Sequence, residues 1–151
     1  MFIMDISVLQ QMTGDAMSAD VHLFDSKRAT QWRGGVGGSR LPGFQQFIAP
    51  DPPAGTTISY RLANAVDDDD VELVIRDAAG EVVRTLEAGG SAGMHVIRWN
   101  LQRDRRDGNQ GRGGRFRGAP QVPAGTYTAV LSIGGQEYTT PVVVRSDPRY
   151  E

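Results

Sequence analysis

The chain contains no cysteine, so disulfides, a thiolate nucleophile and thiolate metal sites are all excluded. The same absence suits a secreted bacterial-type protein and a cytosolic one equally. A single lysine, Lys27, stands against fifteen arginines, a bias that fits genome composition better than function. No apolar run approaches the ~18 residues of a spanning helix, and the opening Met1-Phe-Ile-Met-Asp5 has neither the basic start nor the uninterrupted apolar stretch of a signal peptide. With a formal net charge of −2, the chain has no global attraction for nucleic acid or anionic membrane. Helical periodicity is nearly absent, which argues against an α/β enzyme core, and no internal repeat of fixed period is visible.

What is present is alternation broken by turns. The 151 residues are enough for one domain with extensions, and the 19 Gly and 8 Pro point to many connections. The clearest stretch runs from Val122 to Tyr138. A Pro-Ala-Gly turn launches a strand from Thr126 to Ile133, with Tyr127, Ala129, Leu131 and Ile133 on its apolar face. Gly134-Gly135 supply the positive φ angles of a tight hairpin, and Gln136 to Arg145 returns as the second strand. Upstream, Thr57 to Leu62, Val71 to Arg76, Glu81 to Leu86 and Met94 to Leu101 also alternate. The six strands, at mostly short spacing, predict an all-β, immunoglobulin-like or fibronectin-like antiparallel sandwich over residues 51–151. Leu73, Ile75, Ile97, Trp99, Tyr127, Leu131 and Val142 are its expected common core. Residues 1–50 read as an N-terminal extension. A short strand is predicted over residues 1–9, a short helix between Gln10 and Asp20 capped by the Thr13 hydroxyl, and a brief apolar segment at Val21 to Phe24. A Gly/Arg loop around Trp32 and a proline-rich boundary at Pro50 to Pro53 follow.

Several motifs invite a chemical interpretation. Gly89-Gly-Ser-Ala-Gly93 matches the nucleophile-elbow pattern, but that chemistry needs a helix after the serine, and Met94 to Leu101 alternates as a strand. Asp67 to Asp70 could offer oxygens to Ca²⁺. Consecutive residues of an extended run point to opposite sides, however, and EF-hand spacing is missing, so a solvated loop is expected. Arg103 to Arg117 holds six arginines and two aspartates around Phe116. Such a segment can stack on bases, yet in a slightly acidic protein it reads as a surface loop, able to meet carboxylates of a neighbouring domain. His22 and His95 lack a companion at ligand spacing, so no metal or other cofactor is expected. Trp32 and Phe116, with Arg115 and Arg117 beside the latter, are the candidate contacts for a sugar or a protein partner; Trp99 alternates with core residues instead.

Two stretches carry a family resemblance. Phe2-Ile-Met-Asp-Ile-Ser-Val-Leu-Gln-Gln-Met-Thr13, with Ala19 to Phe24 and Ala29 to Arg33, resembles the end of a bacterial sortilin-like β-propeller of the Asp-box-repeat glycosyl hydrolase type. Val71 to Val144, with Gly80, Val83-Arg-Thr-Leu86, Gly93, Arg98-Trp-Asn-Leu101 and Pro123-Ala-Gly-Thr-Tyr127, resembles the immunoglobulin-like domain that follows that propeller, and is similar to the one in flagellar hook-capping proteins. The chain has one Asp before Ile6-Ser7 where that family usually has two, and it contains no Asp-box. In that family the propeller carries any glycosidase activity. The resemblance therefore implies a non-catalytic accessory module of an extracellular or cell-envelope bacterial protein, and it transfers no catalytic residue. Its expected partner is protein, either a propeller domain or another copy of itself, with neither nucleic acid nor a membrane span. A carbohydrate-binding module, and a subunit of an extracellular assembly that exchanges strands, are the alternatives.

Overall fold

The computed structural model describes residues 6–32, 55–104 and 119–148. Within them the chain is mostly β. The elements in order are α1 (Ser7–Gln10), α2 (Gly14–Ser18), β1 (Val21–Leu23), β2 (Ala29–Thr30), β3 (Thr56–Leu62), a 3₁₀ turn (Asp68–Asp70), β4 (Val71–Arg76), β5 (Val82–Leu86), β6 (Gly93–Trp99), β7 (Gly125–Ile133) and β8 (Gln136–Arg145).

The strands form two sheets, ordered β1-β3-β6 and β2-β8-β7-β4-β5. All pairings are antiparallel except β2 with β8, which run parallel over Ala29–Val144 and Thr30–Arg145. The β7–β8 hairpin closes on Gly134 (φ 55°) and Gly135 (φ 86°), the left-handed pair that a two-residue turn requires to match strand twist. At the β4–β5 turn, Asp77 Oδ1 accepts from the amides of Ala79 and Glu81, both at 3.0 Å, replacing ladder bonds lost at the corner.

One core lies between the sheets. Ile58, Tyr60, Leu62 and Trp99 come from the three-stranded sheet, and Leu73, Ile75, Ala129, Leu131, Val142 and Val144 from the larger one. Trp99 is wholly buried and meets Tyr127 edge-to-face at 5.5 Å. Its indole N–H donates to the Gln102 carbonyl (3.1 Å), while the Tyr127 hydroxyl donates to Pro123 O four residues upstream (2.8 Å). Of the seven expected core residues six are buried; Ile97 is half-buried and packs against the cluster from the sheet edge.

The segment before residue 33 is woven into both sheets. β1 pairs with β3 in one and β2 with β8 in the other. The crossing is held by Ser26 Oγ donating to Pro141 O, Thr140 Oγ1 to Asp25 Oδ1, Arg145 Nε to Thr30 Oγ1 and Gln31 Nε2 to Val122 O. α1 and α2 are tethered to the three-stranded sheet and to the segment after β1 by hydrogen bonds. Gln11 clasps the Asp25 backbone by both its N–H and its C=O, and Arg61 Nη1 donates to Ala19 O. Phe24 and Ala16 are buried there, outside the main core.

The N-terminus corrects the sequence expectation. Ser7–Gln10 is a helical turn, not the end of a strand over residues 1–9; residues 1–5 lie outside the described part. No described strand neighbours this stretch, and its backbone groups are met locally, as in Gln10 N donating to Ile6 O (3.1 Å). The predicted helix between Gln10 and Asp20 is shorter, but Thr13 caps it as expected, accepting from Ala16 N at 3.3 Å.

Candidate interaction surface

The nucleophile-like motif forms the turn between β5 and β6, and three elements fasten it. The Tyr60 hydroxyl, rising from the core face of β3, both donates to Gly89 O (2.7 Å) and accepts from Gly89 N (2.9 Å). Gly90 N donates to Asp68 Oδ1 at 2.6 Å, and Gly90 O accepts from Val66 N at 2.8 Å. A side chain at Gly90 would collide with the Val66 carbonyl, so glycine is required by close approach. Burial raises the Tyr60 pKa, the Gly89 hydrogen bond lowers it and the Asp68 charge raises it again.

The His95 ring stacks on Tyr60, with centroids 4.6 Å apart and planes 7° from parallel. Its Nε2 is 2.8 Å from the Ser91 carbonyl and 3.5 Å from Ser91 Oγ. A carbonyl only accepts, so Nε2 carries the proton and cannot withdraw one from the serine hydroxyl. Ser91 is therefore not activated in this arrangement, and the group closes a turn. Asp68 has a matching structural role. Among the described residues no cluster of three or more His, Asp or Glu is placed to hold a metal ion.

The turn leads into β6, the outer strand of its sheet. Backbone direction alternates along a strand. Because Phe24 N donates to Ser59 O (2.9 Å), Ser59 faces β1, and Ile58 and Tyr60 turn their amides and carbonyls to their partners Ile97 and His95 on β6. Met94 and Val96 therefore aim theirs away from the sheet, where no described strand takes them. Their side chains are exposed as well, 38% for Met94 and 62% for Val96. On this outer face Val96 continues the row of Phe24 and Ser59, and Met94 that of His22 and Arg61. The inward His95 and Ile97 are only half-buried, as expected beside an open edge.

The other sheet edges are blunted. β1 has three residues and β2 two. On β5, Asp104 N donates to Val83 O (2.8 Å) and Thr85 N donates to Asp104 Oδ2 (2.7 Å), and Asp104 also pairs with Arg84 at 2.9 Å. β6 is the one long edge among the described residues without such a cover.

Of the residues singled out in the sequence, Trp32 is half-buried beside β2, and Phe116, Arg115 and Arg117 lie outside the described part. The six described aromatics, Phe24, Trp32, Tyr60, Trp99, Tyr127 and Tyr138, are each buried or half-buried. Sequence reasoning missed Met94 and Val96. The available signal was the run Met94-His-Val-Ile97, apolar on both faces of one strand with neither lysine nor proline to guard it. No described helix is long and apolar enough to cross a membrane. Comparison of the chain with protein-family models, with curated proteins and with solved structures returns no match.

Proposed function

We propose that this chain is a non-catalytic, immunoglobulin-like or fibronectin-like module of an extracellular bacterial protein, and that it docks protein through β6. One observation carries the docking assignment: a seven-residue edge strand presents outward backbone groups together with exposed Met94 and Val96. Main-chain hydrogen bonds to such an edge give affinity and alternate side chains give selectivity. The immunoglobulin-like reading is supported by the three-on-five strand arrangement, the core Trp99 and the Tyr127 hydroxyl bonded back to Pro123. The proton on His95 Nε2, which leaves Ser91 unactivated, supports a non-catalytic role. A subunit that assembles by strand exchange would use the same edge. A carbohydrate-binding role would rest on Trp32 and Phe116, of which Trp32 is half-buried.

The test is a photo-reactive amino acid placed at position 96 in the producing cell, with position 126, exposed on an interior strand, as control. Protein adducts at 96 and not at 126 are expected. Absence of any position-96 protein adduct refutes docking through this edge.

A further inference from the structure

Resting on the docking assignment above, we propose that the occupant of the β6 edge is a second copy of this chain, paired antiparallel about a twofold axis at Val96. A twofold axis demands that one strand complement itself, and Gly93–Trp99 does so. Centred on Val96, the pairing sets Val96 against Val96 of the other copy and Met94 against Arg98. The side chains turned toward the core set His95 against Ile97. The centre is apolar on the outer face, where Val96 is 62% exposed in the single chain. β6 contains no acid and no lysine, and its only charged residue, Arg98, comes opposite a methionine; no like charges are opposed. A net charge of −2 leaves little long-range repulsion between copies.

The same reasoning excludes equivalent self-pairing elsewhere. β5 already gives the outward groups of Val83 and Thr85 to Asp104, and β1 and β2 are too short to hold a register. One strand pair buries less than the ~1,200 Å² of a standard interface. The association is accordingly weak, concentration-dependent and suited to chains held near one another on a surface or within an assembly.

The absence of cysteine makes the register directly readable. Directly opposed residues of a hydrogen-bonded antiparallel pair stand ~5.5 Å apart at Cα, inside the ~4.4–6.8 Å range of disulfides. Full-length Val96→Cys should oxidise to a covalent dimer far faster than Val82→Cys, whose side chain is 53% exposed on the capped β5 edge. Sedimentation equilibrium of the unmodified chain up to about 1 mM should show a monomer–dimer equilibrium. Val96→Lys, which opposes two like charges at the axis, should weaken it about fivefold or more with circular dichroism and melting unchanged. A strictly monomeric chain, a dimer unaffected by Val96→Lys, or Val96→Cys cross-linking no faster than Val82→Cys overturns the proposal. If the position-96 adducts in cells contain another protein and never a second copy, docking stands and self-pairing falls.

Discussion

Replacing Trp99 tests the packing argument most directly, because that side chain joins the two sheets. It is wholly buried, touches Tyr127 edge-to-face and gives its N–H to the Gln102 carbonyl. Removing a buried tryptophan costs ~3–5 kcal/mol through lost transfer energy and the cavity left behind. The ring pair contributes ~0.5–1.5 kcal/mol of specific geometry, and the orphaned carbonyl about 1 kcal/mol more. These contributions overlap, so Trp99→Ala should fall near the top of the range, about 4–5 kcal/mol. Against a total stability of ~5–15 kcal/mol for a domain, the variant is left close to unfolding. Trp99→Phe keeps an aromatic ring in the core and gives up the hydrogen bond and part of the volume, so about 1–2 kcal/mol is expected. Urea titration followed by far-ultraviolet circular dichroism, and by the fluorescence of Trp32 as the remaining tryptophan, measures both. A cost below about 1 kcal/mol for Trp99→Ala, or equal costs for alanine and phenylalanine, would refute the account of the core.

Tyr60→Phe should destabilise by about 2 kcal/mol, since it strips both hydrogen bonds from Gly89 while leaving an aromatic ring for His95; amide exchange at Gly89 should rise, and unchanged protection would count against the latch. Burial raises the Tyr60 pKa first of all, as it does for Tyr127, where the nearby Arg103 opposes it. Neutral hydroxyls are thus favoured by the fold, so stability should hold below the ordinary tyrosine value of ~10 and fall as pH rises through the higher folded values; urea midpoints that stay flat from pH 9 to about 12 would contradict this. The Ser59 hydroxyl is buried without a hydrogen-bond partner, so Ser59→Ala should be neutral or stabilising by up to about 1 kcal/mol, and a loss of 1 kcal/mol or more by urea titration would mean that the hydroxyl is engaged.

The longer strands of the two sheets were legible because each carries a burial signal of period two. Ile58, Tyr60 and Leu62, then Leu73 and Ile75, then Tyr127, Ala129, Leu131 and Ile133 alternate and are all buried. Gly134-Gly135 and Asp77-Ala-Ala-Gly80 mark their turns by backbone chemistry that few other residues satisfy. β2 was invisible for the opposite reason: Ala29 and Thr30 are both buried and too few to alternate, and the Gln31 and Arg145 hydrogen bonds that help hold the pairing leave no local pattern. The first residues misled because Ile6, Val8 and Leu9 fit a strand pattern as well as a turn of helix. Tertiary context decides between them, and Ile6 and Leu9 remain exposed. As for the site, the Gly89–Gly93 motif was correctly denied a helix, but its fastening by Tyr60 and Asp68 joins residues far apart in sequence that no local pattern connects.

The free edge was overlooked for a reason that bears on what it does. Alternation identifies residues that face a core, and Met94 and Val96 stand at the positions where a strand with one wet face should carry polar groups. An apolar residue there lowers nothing in the isolated fold, since Val96 buries little of its surface. The chain blunts β5 with Asp104 and shortens β1 and β2, so open edges are not tolerated generally. A strand that no described strand or side chain caps along Met94 and Val96, while its counterpart β5 is capped, and that carries valine and methionine outward, incurs an aggregation hazard with no return in stability. Such a hazard is offset only where a partner strand covers it. Substituting Val96 by threonine should therefore leave the unfolding free energy within the spread of surface changes, about 0.5 kcal/mol, and weaken association. A valine whose replacement destabilises the monomer while association is unaffected would belong to the core after all.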